Sequence, residues 1–357
     1  MQAPSYMRIP YLSHCNSRST RAASHAGSWY TGSGWSWIRN WVAFRPLHLQ
    51  QTRRSQFQGA KPSSPRTSMA YRYFKALSES PFSGTLDTRI PALLPAWAYN
   101  AVDTTGIKRV FILGPSHHFY LDGCALSSCK EYATPIGDLP LDLETIDELR
   151  RTKRFSPMSL DADEAEHSLE MHLPYVRKIF EGQDIKIVPI VVGAISAESE
   201  GEYGALLAPY LAREDTFCVV SSDFCHWGSR FSYTFYYPDP TPNTSGIKLT
   251  RSSQPSSSHP IFESITRLDK EAMDLLTVPP NSATVAHDQF TRYLAKTKNT
   301  ICGRHPIGVL FGAMAELEKG NEESGKSVVK FVRYEQSSHC HSYNDSSVSY
   351  ASAYVKF

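Results

Sequence analysis

The sequence predicts an α/β sandwich, a single domain in which helices cover one central mixed sheet. From about residue 95 onward, short apolar segments alternate with segments of helical periodicity, which is the pattern of strands joined by helices. The 357 residues are 41% hydrophobic, enough to bury a substantial core. No apolar run reaches about 18 residues, so the sequence predicts no membrane span.

The strands are predicted where apolar residues follow one another without a break, and the helices where they recur every three or four positions. The predicted strands are 108–113, 185–192, 216–221, 327–334 and 349–356. The predicted helices are 96–102, 144–152, 166–180, 203–212, 261–276, 283–296 and 306–319. A segment rich in Pro, Ser and Thr, 238–260, is predicted to be a low-complexity loop insertion.

The amino-terminal part has a different composition. Residues 1–78 contain 11 Lys or Arg and no acidic residue, whereas the rest contains 26 basic and 35 acidic residues. Residues 1–20 are predicted to be a disordered leader. A transit peptide, a basic arm for nucleic acid or anionic membrane, and sequence that is not evolved coding sequence all fit this composition. Residues 33–94 show no sustained periodicity and are predicted to be aberrant or disordered.

The cysteines and the missing motifs limit the functional classes. Seven cysteines without a C-x-x-C pair favour a reducing compartment, the cytoplasm or alternatively the nucleus, over a disulfide framework. The chain has no Gly-rich phosphate loop, no G-x-S-x-G and no basic–aromatic RNA motif. Nucleotide-dependent enzymes, serine hydrolases and nucleic-acid-binding proteins are therefore not predicted.

The segment 108–118 is the strongest functional signal. An apolar strand ends at Gly114 and Pro115, and Ser116, His117 and His118 follow on the next loop. In open α/β sheets ligands and metals bind at the carboxyl ends of strands, and imidazole is the commonest metal ligand. Two surface histidines without a ligand are the alternative interpretation.

A second loop, 221–228, follows the apolar strand 216–221. It places Asp223, Cys225 and His226 within four residues. All three are metal-ligand types, and Asp223 with His226 could instead form a proton-relay pair. In the structural alternative Cys225 is a small buried residue and Asp223 caps a turn.

Two further segments carry candidate ligands. Cys302 lies just before a predicted helix and beside Arg304, so its thiolate form is favoured, which suits Cu(I) or a redox role; an ordinary loop cysteine is the alternative. The segment 166–174 contains two Glu and two His but lacks H-E-x-x-H spacing. One of these side chains is expected to reach the crevice, while others cap or pair structurally.

Taken in chain order, several segments resemble the Memo family (mediator of receptor-driven cell motility). The similarity is almost continuous from about residue 95 to the end, apart from 238–260. The matching motifs are SHAGSWYT at 24–31, ILGPSHH at 112–118, the segment 166–175, VSSDFCHWG at 220–228, the segment 299–309, QSS at 336–338 and DSSVSY at 345–350. The resemblance implies the fold of class III extradiol dioxygenases, an α/β sandwich with a metal crevice.

The resemblance also implies a ligand set. Carried over by motif, His117 and Cys302 are metal ligands, and Asp223 and His226 line the same cleft as catalytic residues. His226 is also close enough to be a further metal ligand. A cysteine in place of the iron-binding carboxylate of the dioxygenases favours copper, with iron as the alternative. Family members are also linked to phosphotyrosine-peptide binding in signalling, and Trp29 is expected at the peptide site.

One departure from the family pattern concerns the metal site. The family has a strand and an A-P-H-A-G-Y segment, which supplies another metal histidine, between SHAGSWYT and residue 96. Here residues 33–94 contain no such motif, and His48 is the only histidine among them. A retained intron or faulty gene model explains this interval best, and sequencing the transcript across residues 32–95 tests it. This chain is expected to have an incomplete site.

Two functional hypotheses follow from these observations. In the first the protein is a copper- or iron-dependent redox enzyme with His226 as acid or base. In the second the crevice binds copper or a phosphorylated peptide without turnover. Metal binding without established catalysis is the favoured interpretation.

Overall fold

The computed structural model describes residues 19–25, 99, 102–242, 244–319 and 327–356. The predictions for residues 1–18 and 33–94, the predicted helix 96–102 apart from residues 99 and 102, and the assignment of Trp29 lie outside the described residues. Thr20, the last residue of the predicted leader, belongs to a short strand, β1 (Thr20–Arg21). Within the described ranges no helix is long and apolar enough to cross a bilayer.

A central mixed sheet is present, as the sequence predicts, and it has five strands. Those at 109–115, 186–192 and 216–220 were predicted, whereas those at 124–127 and 155–158 were missed. The predicted strands 327–334 and 349–356 belong to a separate sheet. The strands of the central sheet are β2 (Arg109–Pro115), β3 (Cys124–Ser127), β6 (Phe155–Met158), β7 (Lys186–Val192) and β8 (Thr216–Val220). The order is β6-β3-β7-β2-β8. β2 runs parallel to β7 and β8, whereas β3 runs antiparallel to β7. The uninterrupted apolar runs reflect burial on both faces of the sheet.

Two three-stranded sheets accompany the central one among the described residues. β1 pairs in parallel with β4 (Glu131–Tyr132), which pairs with β5 (Leu139–Pro140). In the second of these sheets, the strand order is β12-β13-β9. These strands are β9 (His226–Gly228), β12 (Val328–Gln336) and β13 (Ser346–Lys356). Pairing of β9 with β13 sets His226 opposite Val348, so this sheet positions a predicted site residue.

The helices occupy most of the predicted positions. They are α1 (Leu143–Arg151), α2 (Leu160–Ala165), α3 (His167–Glu170), α4 (Leu173–Ile179), α5 (Ala197–Leu211), α6 (Ile261–Leu276), α7 (Ala283–Thr297) and α8 (Arg304–Lys319). The single helix predicted over 166–180 is wrong. The chain turns at Met171 and His172, and Pro174 lies in the first turn of the new helix α4. Backbone N–H groups in the first turn have no acceptor within the helix, so the N–H that proline lacks is not needed there.

Residues 238–260 are mostly loop. They contain one short strand, β11 (Ile247–Lys248), which pairs with β10 (Phe235–Tyr236). Leu249 and His259 are buried, so this segment also covers part of the core.

Candidate metal-binding site

The two loops singled out in the sequence begin side by side. β2 and β8 are adjacent parallel strands, with Leu113 opposite Val220, and the backbone N–H of Ser221 donates to the carbonyl of Leu113 at 2.7 Å. The loop with His117 follows β2 and the loop with Asp223 follows β8. Because parallel strands end at the same edge of the sheet, both loops lie where ligands bind in α/β folds.

Glu166 holds His117 in one orientation. The carboxylate accepts from His117 Nδ1 at 3.0 Å and from its backbone N–H at 2.6 Å, and it also accepts from the backbone N–H of Ser168 at 3.0 Å. Burial opposes ionisation of Glu166, but hydrogen bonding and charge from His117 outweigh burial and lower the carboxyl pKa to about 2. A carboxylate that accepts from Nδ1 leaves Nε2 as the ligand atom, as is usual for metal-binding histidines.

His167 packs against His117. The two rings stack with centroids 4.5 Å apart and an interplanar angle of 14°. On its other side, His167 Nδ1 lies 2.9 Å from His118 Nε2. Burial, reinforced by the charge of His117, lowers the pKa of His167 to about 3, so His167 is neutral at neutral pH.

Asp223, His226 and Cys302 come together. The backbone N–H of Asp223 donates to Cys302 Sγ at 3.0 Å, and His226 Nε2 lies 3.6 Å from Asp223 Oδ2. His226 Nδ1 lies 3.1 Å from the carbonyl oxygens of both Phe224 and Thr300. Since carbonyl oxygens only accept, Nδ1 carries the proton, and Nε2 of the neutral ring faces Asp223.

The electrostatics around His226 favour the neutral ring. Burial lowers the pKa of His226, and the two carbonyl hydrogen bonds oppose this shift only in part. The charge of His117 lowers the same pKa further. A neutral imidazole is the form that binds a metal or accepts a proton.

Close backbone packing holds the Cys302 loop against the Asp223 loop. The backbone N–H of Gly303 donates to Ser222 Oγ at 3.0 Å, and a Cβ on Gly303 would overlap the backbone of Ser221. Glu200 of α5 accepts from His305 Nδ1 at 2.6 Å, which fixes the first turn of α8 after Cys302. The two loops are therefore in direct contact.

A buried carboxylate, Asp269, hydrogen-bonds both the Asp223 loop and the Cys302 loop. Asp269 of α6 accepts from Asn299 Nδ2 at 3.1 Å and from the hydroxyl of Tyr334 at 2.9 Å. It also hydrogen-bonds the backbone of Cys225. Burial raises the pKa of Asp269 to about 6, although these donors oppose the shift. Asp269 thus connects the loop that precedes His226 with the loop that precedes Cys302.

Four of the predicted site residues therefore lie at one edge of the sheet. Asp223 contacts both His226 and Cys302, and His117 is on the neighbouring loop. The metal-binding and catalytic roles of these residues stay predictions. The sequence left the roles of Glu166 and His167 undecided. Asp269 was missed, because an acidic residue within a helix gives no signal that it is buried.

Stability is expected to depend on pH through His167. Unfolded histidine has a pKa near 6.5, whereas native His167 stays neutral down to about pH 3. The unfolded state therefore binds more protons between these values, and the free energy of unfolding falls as pH drops below about 6.5. We expect urea unfolding at pH 7 and pH 5 to show a smaller loss of stability in His167→Gln than in the native protein. Equal losses would contradict the assignment.

Comparison with known proteins agrees with the motif evidence. The model of the Memo-like protein family matches residues 88–354. The chain belongs to the Memo-like family. Protein MEMO1 of Mus musculus is 41% identical over 337 residues, which is 93% of this chain and 95% of that protein. Protein memo-1 homolog of Caenorhabditis elegans is 36% identical over 333 residues, 93% of this chain and 81% of the relative.

One solved structure is also similar to this Memo-like chain. It is the crystal structure of uncharacterized protein JW3007 from Escherichia coli K12, at 14% identity and a TM-score of 0.42. The similarity covers 78% of this chain and 98% of that chain.

Proposed function

We propose that this Memo-like protein binds copper in the crevice between the loops that follow β2 and β8, with His117, Cys302 and His226 as ligands. The observation that carries the proposal is the contact of Asp223 with both Cys302 and His226 beside the end of β2. Both imidazoles are oriented through Nδ1 and have Nε2 as the remaining ligand atom. Such fixed tautomers are typical of metal-binding histidines.

The donor set fits copper better than iron. Imidazoles with a thiolate suit Cu(I), whereas iron sites of this type use carboxylate. Cys302 precedes α8 by two residues, and the helix dipole there favours the thiolate. The N–H of Asp223 points at Sγ, which also stabilises a negative sulfur. Bound copper would supply one-electron redox chemistry. Nε2 of His226 either binds the ion or, beside Asp223, holds or moves a proton, but not both at once.

A titration with Cu(I) tests the proposal. Purified full-length protein is titrated anaerobically against a chromophoric Cu(I) chelator, and we expect one ion per chain with release by Cys302→Ser. No competition with the chelator, or equal binding by the variant, would refute it. Oxygen consumption with and without copper then separates a redox enzyme from a protein that only binds the metal.

The peptide-binding hypothesis rests on Trp29, which lies outside the described residues. Calorimetry with a phosphotyrosine peptide, using native protein and Trp29→Ala, decides it. Heat of binding that disappears in the variant would support a signalling adaptor; no heat with native protein removes the hypothesis. The cytoplasmic location likewise stays a prediction.

A further inference from the structure

We propose that His117, Glu166 and His167 form a second cation site, which takes a divalent transition-metal ion such as Zn(II). The site lies on the side of His117 that faces α3, whereas the copper crevice uses the loops after β8 and before α8. Two imidazoles and one carboxylate are a donor set that binds Zn(II) and Fe(II). The proposal goes beyond the copper site and does not depend on it.

The ligand atoms already have suitable spacing. One candidate ligand atom from each residue lies within 4.8 Å of the other two. Glu166 Oε1 is 3.0 Å from His117 Nδ1 and 3.7 Å from His167 Nδ1. A tetrahedral ion with bonds of ~2.1 Å needs ligand atoms ~3.4 Å apart. Shifts of a few tenths of an ångström would therefore bring these two separations to that value.

The carboxylate is fixed before any ion arrives. Glu166 is buried, and the backbone N–H groups of His117 and Ser168 donate to its two oxygens. Arg21, itself buried, donates to the Glu166 carbonyl at 2.9 Å and so fixes the backbone. The side chains of His117 and His167 are 26% and 13% exposed, which gives an ion access from solvent.

Two present contacts would change on binding. His117 would lose the proton at Nδ1 and take one up at Nε2, so that its ring stays neutral while Nδ1 binds the ion. His118, which now contacts His167 Nδ1 at 2.9 Å, would turn away; its side chain is exposed. With Nε2 protonated, His117 is unable to bind copper through that atom. Zinc and copper are therefore expected to compete through this one ring.

Zinc binding is measured in Cys302→Ser protein, where the thiolate is absent. Full-length chain is titrated with Zn(II) against a chromophoric chelator, and we expect one ion per chain. Adding His167→Gln should weaken binding by about 100-fold, because one of three ligands is lost. Adding His341→Ala, an exposed histidine that packs on Phe262, should change it less than about twofold. Equal affinity with and without His167→Gln would overturn the proposal.

Two further measurements keep the outcomes separate. His167→Cys retains a zinc ligand, so it should restore most of the affinity that His167→Gln loses, provided that thermal unfolding shows both variants folded. Failure of His167→Cys to restore binding in a folded protein counts against the site. If native protein does not bind Cu(I) while the His167 dependence of zinc holds, the copper proposal fails alone. If native protein binds Cu(I) but its zinc affinity does not change in His167→Gln, only the proposal of the second site is rejected.

Discussion

Replacement of Arg21 by Met is expected to lower the free energy of unfolding by about 3–5 kcal/mol, the cost of breaking a buried ion pair. Arg21 is fully buried, and its guanidinium contacts Asp163 at 2.9 Å and Glu170 at 2.8 Å. It also lies over the ring of Tyr132. Methionine would leave two buried carboxylates without their cation. Urea unfolding at pH 7 measures the difference.

The matched control is Arg333→Met. Arg333 pairs with Glu335 at 2.7 Å, but both side chains are more than a third exposed, and exposed pairs contribute about 0–1 kcal/mol. A loss for Arg21→Met no larger than that for Arg333→Met would contradict the role of the buried cluster. Arg21→Lys should lose less unfolding free energy than Arg21→Met but more than none, because an ammonium keeps the charge but does not reproduce the guanidinium geometry.

Replacement of Gly303 by Ala is expected to disturb the copper site and to destabilise the fold by about 1–3 kcal/mol, the usual cost of overpacking. The added Cβ would overlap the Ser221 carbonyl and lie 2.7 Å from Ser222 Oγ. Backbone is unable to move aside as a flexible side chain would, so the Cys302 loop must shift from the Asp223 loop. We expect Cu(I) affinity to fall at least about tenfold.

Gly201→Ala is the control for this substitution. Gly201 lies within α5, and a Cβ there meets nothing within 4 Å. Alanine is the better helix former, so stability should stay equal or rise by up to about 1 kcal/mol, with Cu(I) affinity unchanged. Native-like copper affinity in Gly303→Ala would show that close contact between the loops is not required.

The sequence predicted three of the five central strands and most helices because their signals are local. The short strands at 124–127 and 155–158 were missed. The run Val110–Leu113 is apolar at every position, as a strand buried on both faces must be. The break of 166–180 into two helices was missed, although Pro174 was visible. Proline in the first turn of a helix is tolerated, so its presence alone does not tell where one helix ends and the next begins.

The site was predicted in outline by the same kind of signal. His117 and Asp223 each follow a strand, and the parallel pairing of β2 with β8 brings those strand ends together. Cys302 was placed by its motif. None of these patterns predicts which side chains hydrogen-bond to each other, because hydrogen-bond partners depend on packing between distant segments.

What the sequence by itself determined is the α/β class, three of the five strands of the central sheet and the loops that bear candidate ligands. Only the tertiary structure decided that Glu166 orients His117 from 49 positions away and that Arg21 pairs with Asp163 across 142 positions. It also decided that Gly303 touches the Asp223 loop. The physical reason is the sequence distance over which each interaction acts. Periodicity and turn chemistry depend on a few neighbouring residues, whereas burial and ion pairing depend on which distant segments the fold brings into contact.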